Sequence, residues 1–219
     1  IVAITPVPSF DAGIFVVTLT KRGQIKKTEA PEYENYREKG IIGVKIDEGD
    51  ELLTAALSDG KCELVVATRA GMSIRFPEEQ VRPMGRGTMG VKAVELDEGD
   101  EVVGLCVYRG EGSGRDRVLA VCAKGYGKQT PLGEFRLQSR GGKGVILIDA
   151  SDRNGPVVGI AVVGPEHEVL LVTDQGQLLR LYAEVGQLQP SAVDSAVLAE
   201  TAAYLERDLR APEGGLYTA

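Results

Sequence analysis

One pattern recurs four times along this chain of 219 residues. A short apolar run rich in β-branched residues ends in a polar turn, and the turn contains a glycine that can adopt a positive φ angle. The glycines are 48, 54 and 51 residues apart, and the segments align on them without gaps: residues 16–23, 64–71, 118–125 and 169–176. The pattern predicts four β-hairpins in units of about fifty residues.

Two further elements repeat in phase with the hairpins. A second apolar strand is predicted at residues 1–7, 52–58, 102–108 and 157–163. A third element begins with a glycine and a valine, 19 or 20 residues after each of the first three hairpin glycines, at residues 43–45, 90–92 and 144–146. The repeats predict an all-β fold, a propeller-like β-pinwheel of four-stranded blades with about three full repeats and a partial one. The repeats argue against a doubly wound α/β fold, because that fold would need long helices between the strands.

The repeat defines the domain boundaries. Residues 1–188 follow it, and residue 1 falls inside a second strand, which indicates that the chain begins partway through a repeat. Residues 189–219 do not match the repeat and are predicted to form a helical tail, with Ser191, Asp194 and Ser195 available as caps. Its apolar positions lie near helical spacing, namely Val193, Val197, Leu198, Thr201, Tyr204, Leu205 and Leu209.

The composition argues against several kinds of chemistry. His167 is the only histidine, which argues against a histidine-rich metal site and against histidine-based nucleophilic catalysis. Cys62, Cys106 and Cys122 have no metal-ligand spacing and are predicted to be buried apolar residues in a reducing compartment. No acid, base, nucleophile and metal ligands converge, so no catalytic residue is predicted. The chain has no secretory signal and is expected to be cytoplasmic.

Two motifs have simple interpretations. Residues 85–90 match G-x-G-x-x-G, but an alternating strand pattern follows where a dinucleotide site needs a helix. Residues 47–51 and 97–101 both read DEGDE and lack the spacing of an EF-hand. We interpret the G-x-G-x-x-G segment as a glycine-rich turn with an exposed cation. We interpret both copies of the DEGDE motif as solvated acidic turns.

The cations keep step with the repeat. They lie three or four residues beyond the hairpin glycines, and again in the loop before each third element, where Arg37 and Lys39 precede the first. Equivalent positions of a repeat array face the same way, so we expect these side chains to line one outer edge. These cations include Lys26, Lys27, Arg75, Arg82, Arg86, Lys128, Arg136, Arg140, Lys143 and Arg180. Such an edge suits the phosphate backbone of duplex DNA, and the alternative is that the tips of hairpins carry solvated cations, as they do on any soluble domain.

The net charge of −7 is unevenly distributed. Residues 184–219 carry six acids and two bases, and the two DEGDE turns hold eight more acids. The rest of the chain holds 18 acids and 23 bases. A basic edge for nucleic acid is therefore compatible with the acidic total.

Two long stretches resemble the C-terminal domain of the bacterial DNA gyrase A protein. Residues 64–104 read LVVATRAGMSIRFPEEQVRPMGRGTMGVKAVELDEGDEVVG, and residues 125–159 read GYGKQTPLGEFRLQSRGGKGVILIDASDRNGPVVG. The resemblance covers residues 1–188. It implies a six-bladed β-pinwheel that wraps duplex DNA without reading its sequence, in service of ATP-dependent negative supercoiling by the gyrase holoenzyme.

The resemblance also implies partners and cofactors. The partners are duplex DNA, the remainder of the gyrase A protein, and the gyrase B protein in an A2B2 heterotetramer, within the bacterial cytoplasm and nucleoid. ATP and Mg²⁺ act elsewhere in the holoenzyme, and no cofactor is expected in this segment. One alternative is the C-terminal domain of the equivalent topoisomerase IV protein, used for decatenation. Another is a propeller-like module whose basic edge binds an acidic protein.

One loop departs from the family pattern. The gyrase box of the family reads Q-[RK]-R-G-G-[RK]-G and lies in the first blade. Residues 138–144 read QSRGGKG, with Ser139 at the second place, in what the repeat indicates is a later blade. The tyrosine that links covalently to DNA in this family lies outside this chain.

Overall fold

A computed structural model describes residues 1–35, 40–110, 115–165, 167–174, 176, 178–182 and 187–188 of the chain. The described residues form β-strands and three short 3₁₀ turns, at Ala30–Tyr33, Glu78–Gln80 and Leu132–Glu134. The strands are β1 (Phe15–Thr20), β2 (Gln24–Glu29), β3 (Leu52–Ser58), β4 (Glu63–Thr68), β5 (Met72–Pro77), β6 (Val91–Lys92), β7 (Val102–Tyr108), β8 (Arg117–Cys122), β9 (Gly127–Pro131), β10 (Val145–Ile146), β11 (Val157–Val163), β12 (Glu168–Val172), β13 (Leu178–Tyr182) and β14 (Gln187–Leu188). The predicted helical tail, 189–219, lies outside the described residues.

The strands form three four-stranded antiparallel blades and a fourth hairpin. Blade I has the order β3-β1-β2-β6, blade II β7-β4-β5-β10 and blade III β11-β8-β9-β14, and β12 pairs with β13. The predicted all-β pinwheel and its four hairpins are confirmed. Their turn glycines, Gly23, Gly71, Gly125 and Gly176, have φ angles from 78° to 88°.

Consecutive repeats interlock through the outermost strand of each blade. The hairpin β1–β2 receives β6, which follows the second hairpin in the chain. In the same way β5 receives β10, and β9 receives β14. Each complete blade therefore depends on chain that comes after the next hairpin.

This pairing rule explains why the predicted strand at residues 1–7 is wrong and why the third element at residues 43–45 is not a strand, unlike its two counterparts. Residues 1–7 and 43–45 are not strands in the structure. By analogy with the complete blades, they would be the innermost and outermost strands of a blade whose hairpin precedes β1. That hairpin is not among the described residues, so these backbone groups have no ladder to join in this structure. Residues 1–7 instead lie beside blade I, where the Thr5 hydroxyl donates to the Ala55 carbonyl at 2.8 Å.

The first strand of the second hairpin, β4, packs between two neighbouring blades. In β4, Leu64 and Val66 face the core shared with blade I, whereas Val65 and Ala67 face the core shared with blade III. All four are completely buried. Burying a Val or Leu side chain contributes about 1.5–3 kcal/mol, so both faces of β4 help to hold three blades together.

The innermost strands adjoin one another. β7 contacts both β3 and β11, which places the outermost strands β6 and β10 at the opposite, peripheral edge. The loops that lead into β6 and β10 run along this peripheral edge. Each loop forms a hydrogen bond with the hairpin of the blade that it completes. Met84 N–H donates to the Lys27 carbonyl of blade I at 2.8 Å, and Gln138 N–H donates to the Arg75 carbonyl of blade II at 3.0 Å.

The DEGDE turns have a structural role beyond that of the solvated turns that the sequence predicts. Asp50 Oδ1 accepts the Arg22 amide of the first hairpin turn at 2.9 Å, and Asp100 Oδ1 accepts the Ala70 amide of the second at 2.9 Å. Glu51 and Glu101 form ion pairs with cations of the same hairpin turns, Lys21 and Arg69. Each acidic turn therefore caps a hairpin at the end remote from the 3₁₀ turns.

No helix among the described residues is long and apolar enough to cross a lipid bilayer.

A substitution at Gly144 tests the close contact between the start of β10 and strand β5 of blade II. Gly144 has φ +82°, and a Cβ there would overlap the Ser73 carbonyl oxygen. We expect Gly144→Ala to lower the free energy of unfolding by about 1–2 kcal/mol for the left-handed backbone and by about 1–3 kcal/mol more for the clash. Urea denaturation measures the loss.

Gly99→Ala is the matched control. Gly99 also has a positive φ angle, +79°, but a Cβ there meets nothing within 4 Å. We expect only the loss of about 1–2 kcal/mol from the left-handed backbone. Equal losses for the two variants would contradict the close contact.

Candidate nucleic-acid interface

Two exposed arginines occupy equivalent positions at the peripheral edges of blades I and II. Each lies 11 residues after its hairpin glycine and directly follows a buried residue that ends a 3₁₀ turn: Val81 precedes Arg82, and Phe135 precedes Arg136. Val81 and Phe135 point into the core, so the next side chain in the extended chain points outward. Both arginines are exposed.

The loops that follow contain a second equivalent pair, Arg86 and Arg140. Arg140 is half-buried and well held, because its Nε donates to the Gln80 carbonyl at 3.0 Å and its Nη1 to the Lys92 carbonyl at 2.9 Å. Arg86 is also half-buried, but its Nε and Nη1 have no hydrogen-bond partner among the described residues. These two nitrogens are themselves buried, so the Arg86 side chain would have to reorient before they could bind a phosphate.

Lys128 and Lys143 are exposed at the edges of blades III and II. Lys128 lies on β9, opposite Gln187 of β14. Lys143 immediately precedes the tight contact at Gly144, and its Nζ lies 2.7 Å from Asp97 Oδ1. Lys92 on β6 is also exposed at the edge of blade I, although it is not among the cations predicted from the sequence. Its position in the third element of the repeat, directly after Val91, could have identified it as an edge cation from the sequence.

The prediction that Lys26 lies on the exposed edge is wrong, since only 1% of its surface is accessible. Its Nζ donates to three backbone carbonyls, those of Gly43 at 3.0 Å, Thr88 at 3.3 Å and Arg86. Burial, together with the charge of Arg86, lowers the pKa of Lys26. The side chain therefore holds the glycine-rich loop 85–90 against blade I.

Lys27 is also buried, so its expected exposure is wrong too. Its Nζ lies 3.3 Å from Glu78 Oε1, 3.4 Å from the Glu78 carbonyl and 5.0 Å from the centre of the Phe15 ring. Glu78 is completely buried and also accepts from the Ser58 hydroxyl at 2.6 Å. This ion pair joins blade I to the 3₁₀ turn of blade II.

Arg75 occupies the position equivalent to Lys27, four residues after its hairpin glycine. Its Nη1 donates to the carbonyls of Leu132 at 2.7 Å and Phe135 at 3.0 Å, in and after the 3₁₀ turn of blade III. Its Nε donates to Glu63 Oε2 at 2.7 Å. The half-buried guanidinium thus joins blade II to blade III, as Lys27 joins I to II, and its donors face protein.

The remaining predicted cation is Arg180. Its backbone lies in β13 opposite Leu170, and its side chain lies outside what the structure describes. Arg37 and Lys39 also lie outside the described residues.

Cys62, Cys106 and Cys122 are buried and free, as the sequence predicts. Burial raises the pKa of Cys62 to about 11 and that of Cys106 to about 12, which keeps both thiols protonated. Cys62 meets Asp59 and Glu78, with ligand atoms within 4.8 Å of one another. The Lys27 ammonium beside Glu78 and the protonated thiol make this trio a poor cation site.

The family model described as "DNA gyrase C-terminal domain, beta-propeller" matches residues 15–59, 63–105 and 116–164. The chain belongs to this family. The matched segments include the three hairpins of blades I to III, all of the innermost strands β3 and β11, and the first part of β7. They also include Arg75, Arg82 and Arg136.

Curated relatives in this family are DNA gyrase A proteins. The chain is 40% identical to the DNA gyrase A protein of Escherichia coli (strain K12) over 180 residues, which is 82% of this chain and 20% of that protein. It is 38% identical to that of Klebsiella oxytoca over 200 residues, 91% of this chain and 22% of that protein. The chain spans about a fifth of the length of these relatives.

Solved structures share the gyrase-family fold. The C-terminal domain of DNA topoisomerase IV superimposes with a TM-score of 0.75 at 25% identity, covering 82% of this chain and 55% of that one. The DNA gyrase A C-terminal domain superimposes with a TM-score of 0.73 at 24% identity, covering 83% of this chain and 60% of that one. Both confirm the predicted fold.

Lys27→Met tests the ion pair that joins blades I and II of this gyrase-family domain. Removing the ammonium leaves the Glu78 carboxylate buried without its cation, so we expect the free energy of unfolding to fall by about 3–5 kcal/mol. Lys27→Met/Glu78→Gln should recover part of this loss. Urea denaturation of both variants gives the comparison.

Lys21→Met is the control, because it removes the cation of an exposed ion pair with Glu51. Exposed pairs contribute little, so this variant should unfold almost like the parent protein. A Lys27→Met protein as stable as Lys21→Met would show that the buried pair does not join the blades.

Proposed function

We propose that this domain binds duplex DNA along the peripheral edges of its blades and bends the duplex around them. The observation that carries the proposal is the repetition of an exposed arginine, Arg82 and Arg136, at equivalent positions of consecutive blades. A duplex that follows the edge meets the same cation once per blade. Membership of the gyrase C-terminal domain family supports this path.

The chemistry of the edge suits phosphate rather than bases. Lysine and arginine side chains neutralise phosphates and release counterions, and this supplies affinity without sequence preference. The proposed contacts are the predicted cations with exposed side chains, namely Arg82, Lys128, Arg136 and Lys143, together with Arg180. Arg86 and Arg140 are half-buried in the same loops and add positive charge beside this path. Lys26, Lys27 and Arg75 act instead in holding the loops and blades.

The acidic turns favour a path confined to the edge. They cap the hairpins beside the Lys21 and Arg69 turns, whereas Arg82 and Arg136 follow the 3₁₀ turns at the other ends of their hairpins. Phosphate is repelled from an acidic surface and attracted to a basic one. DNA that leaves the edge toward the hairpin turns would meet the carboxylates.

The role within a larger enzyme follows from the same proposal. Relatives of this chain are DNA gyrase A proteins. We infer that the domain wraps DNA for ATP-dependent negative supercoiling by a cytoplasmic A2B2 gyrase, with the gyrase B protein as a partner. ATP and Mg²⁺ would act elsewhere in that assembly.

Binding of a mixed-sequence linear duplex over a range of salt concentrations tests the proposal. We expect the logarithm of affinity to fall linearly with the logarithm of salt. Arg82→Gln/Arg136→Gln should reduce the slope by about 2 and weaken binding about 10- to 100-fold at 0.1 M salt, because two phosphate contacts are lost. Relaxing closed circular DNA in the presence of the domain reports wrapping as a change in linking number.

Lys21→Gln/Arg69→Gln is the matched control. It removes the same charge from the hairpin turns, where both cations pair with glutamates. We expect little change in the salt slope. Equal effects of the two double variants, or no binding by the parent protein, would overturn the proposed edge path.

A further inference from the structure

Lys143 forms an ion pair that crosses from the peripheral edge to an acidic turn. It lies in the loop 138–144, and its Nζ is 2.7 Å from Oδ1 of Asp97, in the second DEGDE turn. Both side chains are exposed, at 60% and 71%. Of the predicted phosphate contacts with described side chains, Lys143 is the only one paired with an exposed carboxylate.

The preceding repeat provides an internal comparison. Asp47 is the first residue of the first DEGDE turn, as Asp97 is of the second, and Met89 occupies the position of Lys143 immediately before the third element. Asp47 and Met89 both line one small cavity, together with Lys45, so the two positions are also near each other in this repeat. Among the described residues, Asp97 forms an ion pair and Asp47 does not.

We propose that Asp97 competes with DNA phosphate for Lys143 and so weakens the grip of the loop 138–144 on a bound duplex. This inference rests on the proposed DNA path. A carboxylate and a phosphodiester each carry one negative charge and accept hydrogen bonds from an ammonium group, so the two compete for Lys143.

The strength of the competition follows from the exposure of the pair. Lys143 keeps its charge, because the hydrogen bond and charge of Asp97 raise the pKa of its ammonium group. An exposed ion pair is weak, so phosphate can displace the carboxylate, at the cost of a two- to fivefold lower affinity, roughly the range expected for such pairs. The pair therefore adjusts DNA affinity without blocking binding.

A double-mutant cycle on the full chain tests the inference, with a mixed-sequence duplex as the probe. Asp97→Asn should tighten binding about two- to fivefold more than Asp47→Asn, which makes the same change of charge at the equivalent position, where the described residues form no ion pair. The excess should vanish when both aspartate variants are compared in a Lys143→Gln background. Far-ultraviolet circular dichroism and urea denaturation check that each variant folds.

The outcomes separate this inference from the proposed function. Equal tightening by Asp97→Asn and Asp47→Asn, in a parent protein that binds DNA, would overturn the competition and leave the edge path standing. An excess that persists in Lys143→Gln would also overturn it, because Asp97 would then repel DNA directly. Failure of the parent protein to bind DNA would overturn both.

Discussion

The structure depends on a strand that each repeat supplies to the blade before it. Blade I is complete only because β6 arrives from beyond the second hairpin, and blade II because β10 arrives from beyond the third. The supplying chain must cross from the 3₁₀ turn of its own hairpin to the outer edge of the preceding blade. This crossing carries Arg82 and Arg136 to the periphery, so the connection that completes the fold also builds the candidate DNA path.

The same crossing has to be anchored, and cations anchor it. Lys26 binds the carbonyls of the loop 85–90, and Lys27 and Arg75 bind the 3₁₀ turn of the next blade. A buried cation is stable only when acceptors surround it, and loops that cross an edge offer backbone carbonyls that lack strand partners. The repeat therefore uses cations for two purposes, with the charge turned inward at Lys27 and outward at Arg82.

Sequence predicted the fold better than it predicted the site. The hairpins and innermost strands are visible because their apolar runs and glycines recur at a constant period. The period also places Arg82 and Arg136 correctly, because each follows a residue that the core needs. It fails for Lys26 and Lys27, because β2 is buried on both faces and the alternation of side chains no longer separates interior from exterior. The predicted strand at residues 1–7 is wrong because an apolar run forms a strand only where a partner strand is available to pair with it.

The caps formed by Asp50 and Asp100 bear on the sign of the whole domain's charge. These carboxylates accept hairpin amides, and Glu51 and Glu101 hold the adjacent cations, so folding requires much of the acidity that the sequence displays. A net charge of −7 is then a property of the caps as well as of the tail, and it carries little information about the ligand. An anion-exchange resin and a DNA duplex would hold this molecule by different surfaces.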